Sequence, residues 1–326
     1  FIIIYMQKII VLLLTLFYSC NTLSDARGDY NEVIVLTSAD DKPKLFNQVN
    51  NLFSIFINTP NKEKIFKTKW INPSEFKDYL DYKNIFFISL ENPRDSTIDI
   101  LIQRFKKKYE NNIFALSDLY ANNQALIFLS TVDSISLMND LKNYDDWILN
   151  NYNDNIEKYL SSYIYKNGIN EELNNVIYEY FDIIFTAQKD FLIVKDDVKE
   201  KSFLWIGRGY PYRWVTFKKI KLSSDILLFD QFRKHVNIDM PNVKITDYYK
   251  NLLYEADDII KIQGLYEEEN SNTGGPFVSY VKLFREENMA FIVSGFVNNP
   301  GKNKLRLLKE LELQIKNIKY GGNYEK

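Results

Sequence analysis

An α+β fold, with a mixed, largely antiparallel sheet, packed helices and a helical middle segment, is what this chain of 326 residues predicts. Three observations carry that expectation. Short apolar runs alternate with helix-period segments through the first half. The middle holds two amphipathic helical stretches. In the second half strand patterns follow one another with few helices between, which favours antiparallel pairing with helices on one face. At 46% hydrophobic residues the chain has the apolar content of an ordinary globular core.

Taken in order, residues 32–37 (Glu-Val-Ile-Val-Leu-Thr) read as a buried strand. Asp40, Asp41 and Pro43 then open a helix to about residue 57, with an acidic cap and proline in its first turn. Residues 65–71 alternate as a strand, Asn72-Pro73-Ser74 starts a short helix, and 84–90 is a further strand. A helix over 97–108 and a strand over 124–130 follow. Trp147, Tyr152, Ile156, Leu160 and Tyr163 share one helical face. Leu173, Val176, Ile177, Phe181 and Ile184 share another, with Gly168 between the two. Strands are expected at 191–195, 202–208, 259–265, 277–284 and 291–297, the last two as a hairpin around 286–288. Helices over 224–236 and 303–318 accompany them, the second placing Leu305, Leu308, Leu311, Ile315 and Ile318 on one side. This divides the chain into an α/β half at 31–188, an antiparallel α+β half at 189–320 and a tail at 321–326.

The first 19 residues are upstream residues and a signal. Residues 9–18 are apolar apart from Thr15, with Met6, Gln7 and Lys8 before them and Ser19 and Cys20 after. A positive start, a short apolar stretch, a small residue and a cysteine make the layout of a bacterial lipoprotein signal, whose cysteine is acylated before cleavage. The run is far short of the about 20 residues a spanning helix needs. Residues 1–5 precede the start expected at Met6. Cys20 is the lipidation site, and residues 20–30 are the lipidated cysteine and a polar tether. The expected location is the bacterial cell envelope, periplasm-facing, with the membrane reached through the lipid anchor.

Charge narrows the partners. Setting Lys8 aside from 41 basic residues leaves 40 against 43 acidic ones, a net charge near −3. Nucleic acid wants a basic face and is not expected. The 23 Tyr and 23 Phe accompany many Asn, Lys and Ile, the residues of AT-rich codons, so they do not argue for a sugar platform.

Catalytic patterns are absent. The one histidine, His235, sits at the end of a helix, where a cation favours the dipole. One His without a free thiol does not suit zinc, and no metal or cofactor is expected. No nucleophile-elbow spacing occurs, and Gly207-Arg208-Gly209 lacks the rest of a dinucleotide fingerprint. Asp40–Asp41 suits helix capping. Residues 267–273 form a polar, solvated loop that includes Glu267–Glu269.

Two segments stand out. Arg208-Gly209-Tyr210-Pro211-Tyr212-Arg213-Trp214 gathers arginines and aromatics at a proline turn. It is either a recognition surface formed by Arg208, Tyr212, Arg213 and Trp214, or a strand end whose arginines pair with local acids. Strand alternation sets Arg213 and Trp214 on opposite faces; with Trp214 inward, Arg213 points out. Gly274, Gly275 and Pro276 suit a sharp structural turn before a strand.

Cys20, the Tyr210-Pro211-Tyr212 turn, residues 274–279 after Gly264-Leu265-Tyr266, and Phe296-Val297 with Pro300 and Lys304 before the last helix together resemble a Bacteroidota envelope lipoprotein family known only as a domain of unknown function. The resemblance runs from about residue 31 to 320, and Gly-Gly-Pro-Phe-Val-Ser is its most specific piece. The family has tryptophan where this chain has Tyr266. The resemblance implies an envelope location and a single conserved unit, and it transfers no catalytic residue. The leading expectation is a non-catalytic binding or scaffolding protein whose partner is an envelope protein or an anionic ligand. The alternative is an envelope hydrolase using acidic residues.

Overall fold

The structure, a computed structural model, describes residues 23–90, 95–109, 111–223, 227–271 and 273–321. Cys20, the signal and the tail beyond Gly321 lie outside the described residues. The chain forms two compact units. One contains the residues up to Phe53 with Lys67–Asn155; the other contains Ser54–Phe66 with Ile156–Lys326. The division falls at 155/156, inside a helix.

In the first unit β1 (Glu32–Leu36) leads into α1 (Lys42–Leu52). The chain then departs through β2 (Phe56–Thr59) and β3 (Asn61–Lys64), a hairpin of the second unit. It returns as β4 (Lys67–Ile71), the short α2 (Phe76–Tyr79), β5 (Asn84–Leu90), α3 (Thr97–Lys106), β6 (Ile113–Ser117) and β7 (Ala125–Thr131). The long α4 (Ser134–Ile164) begins in this unit. Sheet order is β4-β1-β5-β7-β6, parallel except for β6. Strands β5 and β7 are buried along their whole length, which is why each is built around a continuous apolar stretch, 85–88 and 125–129. One face packs Phe87, Phe128 and Phe114 against Ile98 and Ile102 of α3. Phe87 and Phe128 stack with centroids 4.5 Å apart. The opposite face meets Phe53 and Tyr152, and the Tyr152 hydroxyl donates to the Ile85 carbonyl at 3.0 Å.

The expected tether is in part fixed to this unit. Asp25 and Arg27 form bridges to Asn122 and Tyr82, and the Arg27 guanidinium grips Asp81 at 2.6 and 2.8 Å. Helix α1 stops at Leu52, and 56–59 is strand; Phe56, Ile57 and Thr59 suit a pleated surface better than a fourth helical turn. Of the long helix, Tyr152, Ile156 and Leu160 are buried, but Trp147 and Tyr163 are exposed, so the apolar stripe is narrower than its aromatic members suggest.

The second unit is a seven-stranded antiparallel sheet with helices on both faces. After α4 come α5 (Glu171–Phe181), β8 (Ile183–Ile184), β9 (Leu192–Asp197), the short α6 (Val198–Lys201), β10 (Phe203–Arg208) and β11 (Tyr212–Lys221). Then follow α7 (Leu228–Asp239), β12 (Val243–Ala256), β13 (Ile259–Glu268), β14 (Thr273–Phe284), β15 (Met289–Asn298), α8 (Leu305–Lys316) and β16 (Lys319–Tyr320). Sheet order is β12-β13-β14-β15-β11-β10-β9. On one face Leu173, Ile177 and Phe181 of α5 and Leu308, Leu311 and Ile315 of α8 pack on Val215, Phe217, Phe291 and Val293. On the other, Phe229, Phe232 and Val236 of α7 pack on Phe277, Ile292 and Phe296. The expectation of helices on one face only is thus corrected. The sheet's odd and even residues are both largely apolar in β14 and β15, so each face requires a cover.

Candidate functional site

The segment 208–214 is structural. Strands β10 and β11 place Arg208 directly opposite Arg213, on the face that α8 covers. Arg213 is only 4% exposed and donates to the carboxylate of Glu310, equally buried on α8. Glu310 also accepts from Arg306 Nε at 3.0 Å. Arg208 pairs with Asp190 at 2.5 Å and reaches Gln188 at 3.3 Å. Burial pulls the Arg213 pKa down and Glu310 opposes it. Trp214 lies on the other face against Trp205 and Tyr266. Arg213 therefore points inward, the reverse of the expectation. Of Arg208, Tyr212, Arg213 and Trp214, only Tyr212 is exposed, and no common surface forms.

Gly274, Gly275 and Pro276 likewise lie inside β14, opposite Glu267, Tyr266 and Leu265, and make no turn. Their glycines answer close backbone approach. A Cβ on Gly275 would sit 1.9 Å from the Val297 carbonyl oxygen, and one on Gly274 2.3 Å from that of Tyr266.

The carboxyl ends of parallel strands are where open α/β sheets bind ligands. In the first unit that end is occupied by the chain's own acids. Asp41, at the start of α1, does not cap it; its carboxylate accepts from the Leu90 amide at 3.1 Å. Asp95 accepts from Thr97 at the start of α3, and Asp133 from Ile135 and Ser136 at the start of α4. The N-termini of α3 and α4, which would attract an anion, are thus already answered. Two buried hydroxyls there, Thr37 and Thr131, lack partners among the described residues, but neither is open to solvent.

His235 lies within α7, half-buried beside Lys218 and Asp239, which pair at 2.8 Å. Burial and then Lys218 push its pKa below the ordinary histidine value, with Asp239 opposing. It is a neutral imidazole more readily than the helix-end cation the sequence suggests.

A cleft of about 730 Å³ opens at the β12 side of the sheet in the second unit. Leu265, Thr246 and the β13–β14 hairpin line it, with Pro60 at the tip of the β2–β3 hairpin. Thr246 donates to the Leu265 carbonyl at 3.1 Å and so fixes β12 where its pairing with β13 is interrupted after Ile245. Glu267, Glu269 and Lys244 are exposed around it, and Tyr248 is 85% exposed. Glu268 is committed to the hairpin, accepting from Ser271, Thr273 and Asn298 at 3.0, 3.3 and 3.1 Å. Residues 267–271 are therefore a strand end and tight turn, not a free loop. Three carboxylates against one lysine make the cleft acidic. Glu267, near the end of β13, and Glu269, in the turn that follows, come from one short segment, whereas hydrolysis by a carboxylate pair requires groups facing each other across the bond. Among the described residues no group of three His, Cys, Asp or Glu could hold a metal ion. Lys244, Thr246 and Tyr248 were not among the residues the sequence singled out; the alternation of Val243 and Ile245 beside them is the signal of β12.

Residues 26–162 match a family described as a domain of unknown function (DUF8532), and residues 230–317 match another so described (DUF4837). The first match nearly coincides with the first unit and the second falls within the second. No curated protein matches. Among solved structures the chain is similar to a mutant of the protein Mog1, at 7% identity over 43% of this chain and 92% of that one, with a TM-score of 0.31. The Saccharomyces cerevisiae Ran-binding protein Mog1p gives 7% identity, 42% and 89% coverage and a TM-score of 0.31. A Bacteroides thetaiotaomicron VPI-5482 protein gives 14% identity, 42% and 44% coverage and 0.24. Likenesses this distant carry no functional argument.

Proposed function

We propose that this chain is a lipid-anchored cell-envelope protein that binds a partner without transforming it, and that the acidic cleft of the second unit is where it binds. The partner is a positively charged, extended segment of an envelope protein. The observation that carries this reading is the cleft itself, lined by the exposed Glu267 and Glu269 and by the exposed Tyr248. Carboxylates so placed attract cations, and an open tyrosine face adds a cation–π surface. An anionic ligand finds less support, because the arginines that suggested it pair with the chain's own acids. The hydrolase alternative is weakened because the carboxylates that line the cleft all come from one short segment, Glu267–Glu269. The membrane side of the reading rests on the signal pattern ending at Cys20; no helix among the described residues is long and apolar enough to cross a membrane.

The experiment has two arms. The full chain is titrated calorimetrically with pentalysine at low salt, and the Glu267→Gln/Glu269→Gln double variant is expected to bind at least tenfold more weakly. In cells, Cys20→Ser is expected to lose palmitate labelling and to leave the membrane fraction. Equal pentalysine binding by the double variant overturns the cleft assignment, and a labelled, membrane-bound Cys20→Ser overturns the anchor.

A further inference from the structure

Strand β9 forms the outer edge of the seven-stranded sheet and, among the described residues, pairs only with β10. Such an edge presents alternate main-chain donors and acceptors outward, a template for another strand. Its first three residues are apolar and exposed: Leu192 at 68%, Ile193 at 45% and Val194 at 52%. Proteins usually guard an edge with a charge or a bulge. Here the bulge at Val194 and the charge at Lys195 follow the apolar stretch and leave Leu192 and Ile193 bare.

Beside this edge lies an apolar groove of about 320 Å³ between β9 and α5, walled by Leu173, Val176, Leu192 and Ile193. It occupies the space into which alternate side chains of an added strand would project. Glu172, exposed, stands at the same groove.

We propose that the β9 edge docks an extended segment of another protein by strand addition, the segment carrying apolar residues at alternate positions and a lysine or arginine that meets Glu172. Main-chain pairing supplies the affinity and the groove with Glu172 supplies the selectivity.

The probe is a labelled peptide of alternating valine and threonine with lysine at both ends, titrated against the full chain by fluorescence anisotropy. Saturable binding is expected, weakened at least tenfold by Ile193→Lys and by Leu192→Lys and unchanged by the Glu267→Gln/Glu269→Gln cleft variant. N-methylation of one alternate set of peptide amides should abolish binding while methylation of the other set leaves it, because only one edge of the peptide faces β9. Glu172→Lys should shift the preference to a glutamate-ended peptide. No saturable binding, or binding that tolerates both methylation patterns, overturns the proposal. So does a concentration-dependent dimer that Ile193→Lys dissociates, which would assign the edge to a second copy.

Discussion

Glu310 accepts from Arg213 and Arg306 at once, in surroundings that admit almost no water. Removing one member of such a group leaves an uncompensated buried charge, and that cost exceeds anything a surface pair would lose. Glu310→Ala is expected to destabilise the chain by about 3–5 kcal/mol, as measured by urea denaturation; a loss below ~1 kcal/mol would show that Arg213 finds water or another acceptor. The arginine was legible in the sequence but its role was not. Arginine is almost never fully buried unless paired, and the partner lies 97 residues away on the last helix. His235 departs from its sequence expectation for a related reason, since nothing local shows that Lys218 faces it. Because its folded pKa is lowered, the unfolded chain holds the proton more readily. Its contribution to stability is therefore full above about pH 6.5 and falls as pH drops from there through the lowered value. In His235→Asn that part of the pH dependence of the unfolding free energy should flatten; an unchanged profile would remove His235 as its source.

At the scale of elements, the β2–β3 hairpin shows what a departure from sequence order can accomplish. Glu63 at its end accepts from the Lys304 and Leu305 amides at 2.7 and 3.2 Å, so it caps α8 from 241 residues upstream. That helix has no cap of its own at Lys304. Its apolar face was legible, and Leu305, Leu308, Leu311 and Ile315 are all buried as the periodicity requires. Its cap was not legible, because capping patterns are read within a few residues of a helix start. Strand β12 escaped for another reason: it is an edge strand with two register shifts, and its polar side faces outward. The glycines of β14 give the sharpest contrast. Gly275→Ala forces a Cβ against the Val297 carbonyl and should cost about 1–3 kcal/mol or more. Gly209→Ala, with nothing within 4 Å of its Cβ, should be close to neutral. Equal melting temperatures for the two variants would mean that β14 and β15 separate locally at little cost.

For the whole molecule, the α+β class followed from the order of strands and helices, and it holds in the sense that a mainly parallel sheet in one unit accompanies an antiparallel sheet in the other. The unit boundary was not legible, since α4 runs across it without a break in its helical pattern. The acidic cleft was only half legible: Glu267–Glu269 were visible as a polar cluster, but their neighbours Lys244, Thr246 and Tyr248 come from a different strand. The central claim is that this cleft, and not the carboxyl end of the parallel sheet, is the binding site. Hydrogen–deuterium exchange of the full chain with and without pentalysine tests it directly. Slowed exchange is predicted over residues 244–248 and 265–274, with residues 37–41, 89–90 and 130–131 unchanged. Protection confined to the latter segments would contradict the account, as would no protection anywhere at saturating peptide.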